Sequence, residues 1–309
     1  MTTMRIVIQD ELGGPEVLRI GEVERPEPGL GEILVKVHAA GTNPVDWKTR
    51  TFGFGGFEPP FTVGWDVSGT VEAVGGGVRL YRPGDEVYGM PRFPKLANGY
   101  AEYVAAPARH FDVKPARLSH VEAAALPLAG LTAHQALVDV AEVRPGQRVL
   151  VHAAAGGVGH FAVQIAKAKG AYVIGTASAG KHEFVRAIGA DEVVDYRTVD
   201  FTEAVSDVDV VVDPIGEAYA ARSASVVKDG GHLVSVMPGE LSEAEQARIT
   251  AGYMMVEADW SGMRALSALV EAGRLTPHVA ETYPLEAVAE AHESLATGRT
   301  TGKIVLTVA

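Results

Sequence analysis

Residues 147–176 read QRVLVHAAAGGVGHFAVQIAKAKGAYVIGT. The stretch opens on the apolar, β-branched run Val149-Leu150-Val151 and passes through Gly156, Gly157 and Gly159. Phe161, Ile165 and Ala168 follow at helical spacing, with Lys167 and Lys169 on the wet side. Gly170 ends that run, and Tyr172-Val173-Ile174 begins a second strand. Strand, glycine turn, helix, strand is a βαβ unit. Ala154-x-Gly156-x-x-Gly159 stands at the strand-to-helix turn, where backbone N–H groups and a helix N-terminus can meet a pyrophosphate. Any tight βα turn uses glycines, and the first position here is Ala154. The context favours a dinucleotide site, because the glycines follow a strand and open a helix inside one unit of about thirty residues.

The end of the second strand speaks to which dinucleotide. An NAD site places Asp or Glu about twenty residues past the glycines, on the ribose 2′-OH. Here the region reads Gly175-Thr176-Ala177-Ser178-Ala179-Gly180-Lys181, with no acid. A carboxylate would repel a 2′-phosphate, whereas Ser178 and Lys181 would bind one by hydrogen bond and charge. NADPH is the expected cofactor.

The chain has 309 residues, enough for two domains, and 47% of them are hydrophobic. Asp and Glu number 39 against 27 Lys and Arg, a formal charge of −12. That balance disfavours nucleic acid and anionic membranes as partners, though one local basic pocket for a phosphate is compatible with it. No apolar run reaches the ~18–20 residues of a membrane span. The start, MTTMRIVIQD, lacks a secretory h-region, so a cytoplasmic protein is expected. Cys is 0, which removes disulfides, thiolate catalysis and every cysteine-containing zinc site. The ten His show no metal-ligand spacing, and His38, His152, His160 and His232 read as packing residues; no metal is expected.

Of 17 Pro, 11 lie at or before Pro115, and short β runs occur at 5–8, 32–38, 67–74, 86–89 and 100–104. This predicts a compact β-barrel-like domain of strands and turns rather than helices. Residues 121–130 and 131–138 read as Ala-rich helices divided at Pro127 and Gly130. After the βαβ unit, strands at 192–195, 208–212 and 232–236 alternate with helices at 181–188 and 219–227. Such alternation means a parallel, doubly wound sheet, and hence an α/β protein. Amphipathic helices are expected at 259–271 and 285–296, then a last strand at 303–308 that could join either sheet.

The motifs AAGTNPVDWK (39–48), GWDVSGTVEAVG (64–75), RPGDEVYG (82–89), NGYAEYV (98–104), ALPLAGLTAHQAL (125–137), VLVHAAAGGVGHFAVQIAK (149–167), GADEVVDY (189–196) and TGKIVL (301–306) run in one order along nearly the whole chain. The sequence resembles the medium-chain dehydrogenase/reductases, in the zinc-free quinone oxidoreductase (zeta-crystallin-like) branch. The resemblance implies a GroES-like β-barrel-type domain over 1–122, carrying substrate and catalysis. It implies a Rossmann NADPH-binding domain over 123–260, a segment 261–309 that returns to the first domain, and a homodimer. Zinc-dependent relatives place Cys in the segment matching 41–46 and a His-Glu pair where Trp65-Asp66 stand here, so the zinc alcohol dehydrogenase reading fails on its ligands.

By the same resemblance, Asn43 and Thr132 lie at the nicotinamide and are the catalytic candidates. Gly156, Gly157, Val158 and Gly159 hold the pyrophosphate, and Ser178, Lys181 and Tyr196 the 2′-phosphate end. The backbone of Val236-Met237 meets the carboxamide, and Lys303 matches a lysine near the cofactor. Each has a plainer reading: Asn43 a turn before Pro44, Thr132 a helix N-cap, Tyr196 packing, Lys303 an edge-strand lysine. Asp46 reads mainly as a structural hydrogen-bond acceptor. Phe52, Phe54 and Phe57 on a glycine loop, with Trp47 and Trp65, are candidates for a flat hydrophobic slot around a planar acceptor.

Hydride transfer without a Lewis acid needs an acceptor that is already electrophilic, so the expected reaction is NADPH-dependent reduction of a quinone or enone. No residue reads as a general acid. An enoyl-thioester reductase and a non-catalytic NADPH-binding sensor or structural protein are the alternatives.

Overall fold

In the computed structural model, which describes residues 2–308, the chain divides into two units. One is Met1–Leu131 with Glu257–Glu271 and Pro277–Ala309; the other is Thr132–Val256 with Ala272–Thr276.

The first unit carries β1 (Thr3–Gln9), β2 (Leu18–Glu24), β3 (Glu32–Gly41), α1 (Pro44–Phe52), β4 (Asp66–Val74), β5 (Glu86–Gly89), β6 (Tyr103–Pro107), β7 (Phe111–Val113) and α2 (His120–Ala124). β3 is its centre. Ten residues long, it pairs antiparallel with β4 along its length and with β6 over its first half. Its hydrophobic residues Ile33, Leu34, Val35 and Val37 are buried, which fixes its register. β1 and β2 form a separate antiparallel pair.

One helix departs from the strand-and-turn expectation for this region. α1 begins at Pro44, with Asn43 at its N-cap and Asp46 at its third position. Proline is tolerated at the first helical position, where its missing N–H would have no partner anyway. Asn-Pro-x-Asp is therefore a helix start and not only a turn. The helix runs to Phe52, so that residue ends a helix rather than sitting on the glycine loop. Gly53, at φ 64°, closes it.

Residues 123–131, expected with the second domain, belong to the first unit. The cause is packing: Ala124 and Ala125 are fully buried against Ala39 of β3 and against Val305. A single helix, α3 (Pro127–His134), then runs through Gly130, and a π turn (Gln135–Val140) continues it. Gly130 is thus no divider. A Cβ there would stand 2.7 Å from Leu126 and 3.1 Å from Leu266, so the glycine serves close packing.

The second unit continues with β8 (Arg148–Val151), α4 (Gly157–Ala168), β9 (Tyr172–Ala177), α5 (His182–Ala187), β10 (Glu192–Asp195), α6 (Phe201–Ala204), β11 (Val208–Asp213), α7 (Tyr219–Val226), β12 (Val227–Ser235), α8 (Glu243–Arg248) and β13 (Thr250–Tyr253). All pairs in the sheet are parallel, in the order β10-β9-β8-β11-β12-β13. This is the doubly wound order, which reverses between β8 and β11. Val149, Leu150, Val151 and Val210, Val211, Val212 are almost wholly excluded from water, as strands covered on both faces must be.

The chain returns to the first unit with α9 (Trp260–Glu271), β14 (Val279–Pro284), α10 (Val288–Ala296) and β15 (Lys303–Thr307). β15 settles the open question of its sheet: it lies between β14 and β3, giving the order β14-β15-β3-β4-β5-β7. No described helix is long and apolar enough to cross a membrane.

Candidate active site

Asn43 stands where β3 ends and α1 begins, and three buried charged residues converge on it. Asp66 opens β4 opposite Gly41 at the end of β3, and Lys303 opens β15. The register thus brings residues 43, 66 and 303 to one place. Asp46 reaches back from the first turn of α1 to accept the Asn43 backbone N–H at 2.5 Å, and its other oxygen accepts the Gly64 N–H at 3.2 Å. The Asn43 amide nitrogen donates to Asp66 at 2.8 Å, and its carbonyl oxygen accepts from Lys303. Lys303 Nζ also donates to the Thr42 carbonyl at 2.7 Å and lies 3.4 Å from Asp66. The second Asp66 oxygen accepts the Leu128 N–H at 2.7 Å.

A second chain ends on Asp46. Arg50 donates to His292 Nδ1 at 3.0 Å, and His292 Nε2 lies 3.4 Å from the Tyr100 hydroxyl, which in turn interacts with Asp46. Arginine can only donate, so the His292 proton resides on Nε2. Burial, helped by the Arg50 charge, pushes His292 down to about 3. Burial pushes Asp46 up to about 7, against the pull of the Asn43 N–H and the Tyr100 hydroxyl. Burial likewise raises Asp66, opposed by Lys303, and lowers Lys303, opposed by both aspartates.

The sequence expectations fare unequally here. Lys303 is no edge-strand lysine, since β15 is paired on both sides and the side chain is 3% exposed. The acceptor role read for Asp46 holds. Asp66 is a site residue that the sequence signals only by the break from the His-Glu pattern at Trp65-Asp66. Trp65 does not line an open slot: it is 1% exposed, its indole N–H bonds the Lys95 carbonyl at 2.8 Å, and its ring meets Phe93 edge-on. Of the other aromatics, two pair with each other and one pairs outside the set. Trp47 meets Phe52 edge-on at 6.3 Å, and Phe57 turns toward Phe61, also at 6.3 Å. Phe52 is 70% exposed and Phe54 45%.

In the second unit, the C-terminal edge of the parallel sheet gathers most of the remaining candidates. Gly156 to Gly159 follow β8, Ser178 follows β9, Tyr196 follows β10, and Val236 and Met237 follow β12. Ligands of open α/β sheets bind at this edge, next to the point where strand order reverses. Ala153, at φ 47°, swings the chain into the turn. Gly159 is required by close approach, because a Cβ there would lie 2.2 Å from the Ala153 carbonyl oxygen. Gly159→Ala is expected to cost about 1–3 kcal/mol in urea unfolding, as overpacking against backbone does. Gly180→Ala, with open space around it, is the control and should change little.

Thr132 lies inside α3, so it is not an N-cap; it is buried at 4% exposure. The Val236 N–H is engaged by the Asp213 carbonyl at 3.1 Å. Two residues at this edge escaped the sequence reading. Arg197 lies over the Tyr196 ring at 5.8 Å, and its charge, after burial, helps lower Lys181. Asp213 is fully buried at the end of β11; one oxygen accepts the Ile215 and Gly216 N–H groups, and the other has no partner among the described residues.

Residues 29–116 match the alcohol dehydrogenase GroES-like domain, and residues 188–306 the zinc-binding dehydrogenase domain. The quinone oxidoreductase of Pongo abelii is 35% identical over 324 residues, spanning 98% of this chain and 97% of its own. The solved quinone oxidoreductase of Coxiella burnetii superposes with a TM-score of 0.92 at 36% identity, over 100% of both chains. The quinone oxidoreductase of Escherichia coli, solved in complex with NADPH, gives 0.89 at 29%, over 99% of this chain and 100% of that one. This chain belongs to the quinone oxidoreductase branch of the medium-chain dehydrogenase/reductases.

Membership in this oxidoreductase branch raises the fit of two groups. Zinc does not fit: the chain has no cysteine, Trp65 is packed with its indole N–H bonded, and both Asp66 oxygens are taken by N–H donors. A dinucleotide does fit, in that α4 opens on Gly156 with no side-chain hydrogen bond capping it, so no side chain occupies the helix N-terminus where a pyrophosphate would sit.

Proposed function

We propose that this quinone oxidoreductase relative reduces quinones and α,β-unsaturated carbonyls with NADPH, without a metal. Such acceptors delocalise incoming negative charge onto oxygen, so they need a hydrogen-bond donor rather than a Lewis acid. The cofactor, when bound, supplies the hydride. The chain's own part is to hold the reactants and to offer a donor at the oxygen. Gly156, Gly157, Val158 and Gly159 would hold the pyrophosphate through backbone N–H groups, with Val236 and Met237 at the carboxamide. Thr132 and Asn43 would face the reacting ends, and Trp47, Phe52, Phe54 and Phe57 the flat face of the acceptor. The relatives named above support a quinone as the acceptor. A homodimer, as the branch suggests, is checked by light scattering.

The observation that carries the choice of NADPH is the charge at the ends of β9 and β10. Ser178, where an NAD site has its acid, is joined by Lys181 and by Arg197, whose charge, after burial, works against that of Lys181. An anion between them removes that repulsion. Lys181 is half-buried, so its charge-assisted bond is placed at the low end of about 1.5–3 kcal/mol. Lys181→Ala is therefore expected to raise KM for NADPH roughly tenfold and leave that for NADH unchanged. The test follows absorbance decay of NADPH and NADH with 1,4-naphthoquinone and simple enones. Equal preference for the two cofactors in the unmodified protein would overturn the phosphate assignment. Tight NADPH binding with no oxidation would favour a thioester acceptor or a non-catalytic role.

A further inference from the structure

We infer that Lys303 and Asp66 are positioning residues that fix and polarise the Asn43 amide, so that one defined Asn43 N–H is presented to the acceptor oxygen. This rests on the reading that Asn43 faces the reactants. An asparagine amide has two ends of nearly equal shape, and only its partners decide which end is oxygen. Lys303 can only donate, and it takes the oxygen end. Asp66 accepts at the nitrogen end. The amide is therefore held in one orientation by two charges of opposite sign, both nearly inaccessible to water.

Hydrogen counting narrows the role further. Lys303 has three N–H bonds, and Thr42, Asn43 and Asp66 take them. Asp66 accepts from Asn43, Lys303 and Leu128. The Asn43 backbone N–H goes to Asp46. Among the described residues, the second hydrogen on the Asn43 amide nitrogen has no acceptor. It is the one donor this cluster has left to give. A lysine bonded to the far end of the amide withdraws electron density through it and strengthens that donor, as bonds in a chain do in a low-dielectric site. With all its donors committed, Lys303 acts on a reactant through Asn43 and not by touching the cofactor. Asp66 keeps the buried lysine neutralised while holding the amide.

The test measures kcat with NADPH and 1,4-naphthoquinone, and the NADPH dissociation constant by fluorescence. It uses four proteins: unmodified, Asn43→Ala, the double variant Asp66→Asn/Lys303→Met, and the triple variant. The double variant removes both charges together, so neither is left buried alone. Its kcat should fall about 10–100-fold, the effect of a misplaced reacting group, with NADPH affinity within about twofold. In the Asn43→Ala background the same pair should cost no more than about twofold. Losses that multiply, an unchanged kcat in the double variant, or weakened NADPH binding would each overturn the inference while leaving the role of Asn43 standing. An unchanged kcat in Asn43→Ala would instead overturn that role and the inference with it. Lys303→Arg keeps the buried charge and should fold even where the double variant does not. Its guanidinium cannot reproduce the three bonds of the ammonium, so a kcat loss of about fivefold is expected, and none would refute the positioning role.

Discussion

Lys303→Met is expected to destabilise the first unit by about 3–5 kcal/mol, the loss seen when one partner of a buried ion pair is removed. Asp66 would then stand in the core as a carboxylate facing no cation. The Thr42 carbonyl and the Asn43 amide oxygen would lose their lysine donor as well. Adding Asp66→Asn should restore most of the loss, because a neutral amide tolerates the same burial. The three tryptophans, Trp47, Trp65 and Trp260, all belong to the first unit. Tryptophan fluorescence during urea unfolding therefore reports this effect directly. The deficit should shrink in acid, since burial already raises Asp66 and a proton would replace the missing lysine charge. A variant as stable as the parent at neutral pH would show that the pair is not bonded as described.

The second large effect concerns Asp46, which burial pushes from 3.8 up to about 7. Between those values the folded chain holds a proton that the unfolded chain has released. Stability owed to this group is therefore full at the acid end and is lost as pH rises through about 7. Asp46→Asn cannot titrate. The variant's stability relative to the parent should climb by about 4 kcal/mol from pH 4 to pH 7.5, some three pKa units at ~1.4 kcal/mol each. His152 and His292, both pushed down to about 3 by burial, act with the opposite sign, making the protein lose stability in acid. His152, in the second unit, is common to both proteins and cancels in the difference. Urea midpoints of the two proteins at several pH values give the curve, and a flat difference would refute the raised carboxyl.

Why the sequence disclosed some of this and concealed the rest follows from the range of each interaction. The second unit was legible because a parallel strand is buried on both faces and must be written as an unbroken apolar run. Val149-Leu150-Val151 and Val210-Val211-Val212 show it. The glycine turn was legible because Gly159 faces a backbone carbonyl too close for any side chain. α1 is hidden because proline counts against helices in general, while Pro44 occupies the first helical position, where a helix accepts it. Trp65 looked like a site residue because an aromatic near a family motif says nothing about which way it points. The Asp66–Lys303 pair was out of reach for a deeper reason. Each residue follows local strand pattern, and only the placement of β15 beside β3 brings together groups 237 positions apart.

That same placement imposes an order of assembly on the growing chain. Residues 132–256 form most of one unit in a single uninterrupted run and depend on only five later residues. The GroES-like half cannot finish its sheet until β15 has been made, since β15 bridges β14 and β3. Until then Asp46 and Asp66 face each other across Asn43 with no lysine between them, which opposes burial of that corner. The nucleotide-binding half can thus form early on the ribosome, while the half that carries Asn43 waits for a contact more than 250 residues downstream.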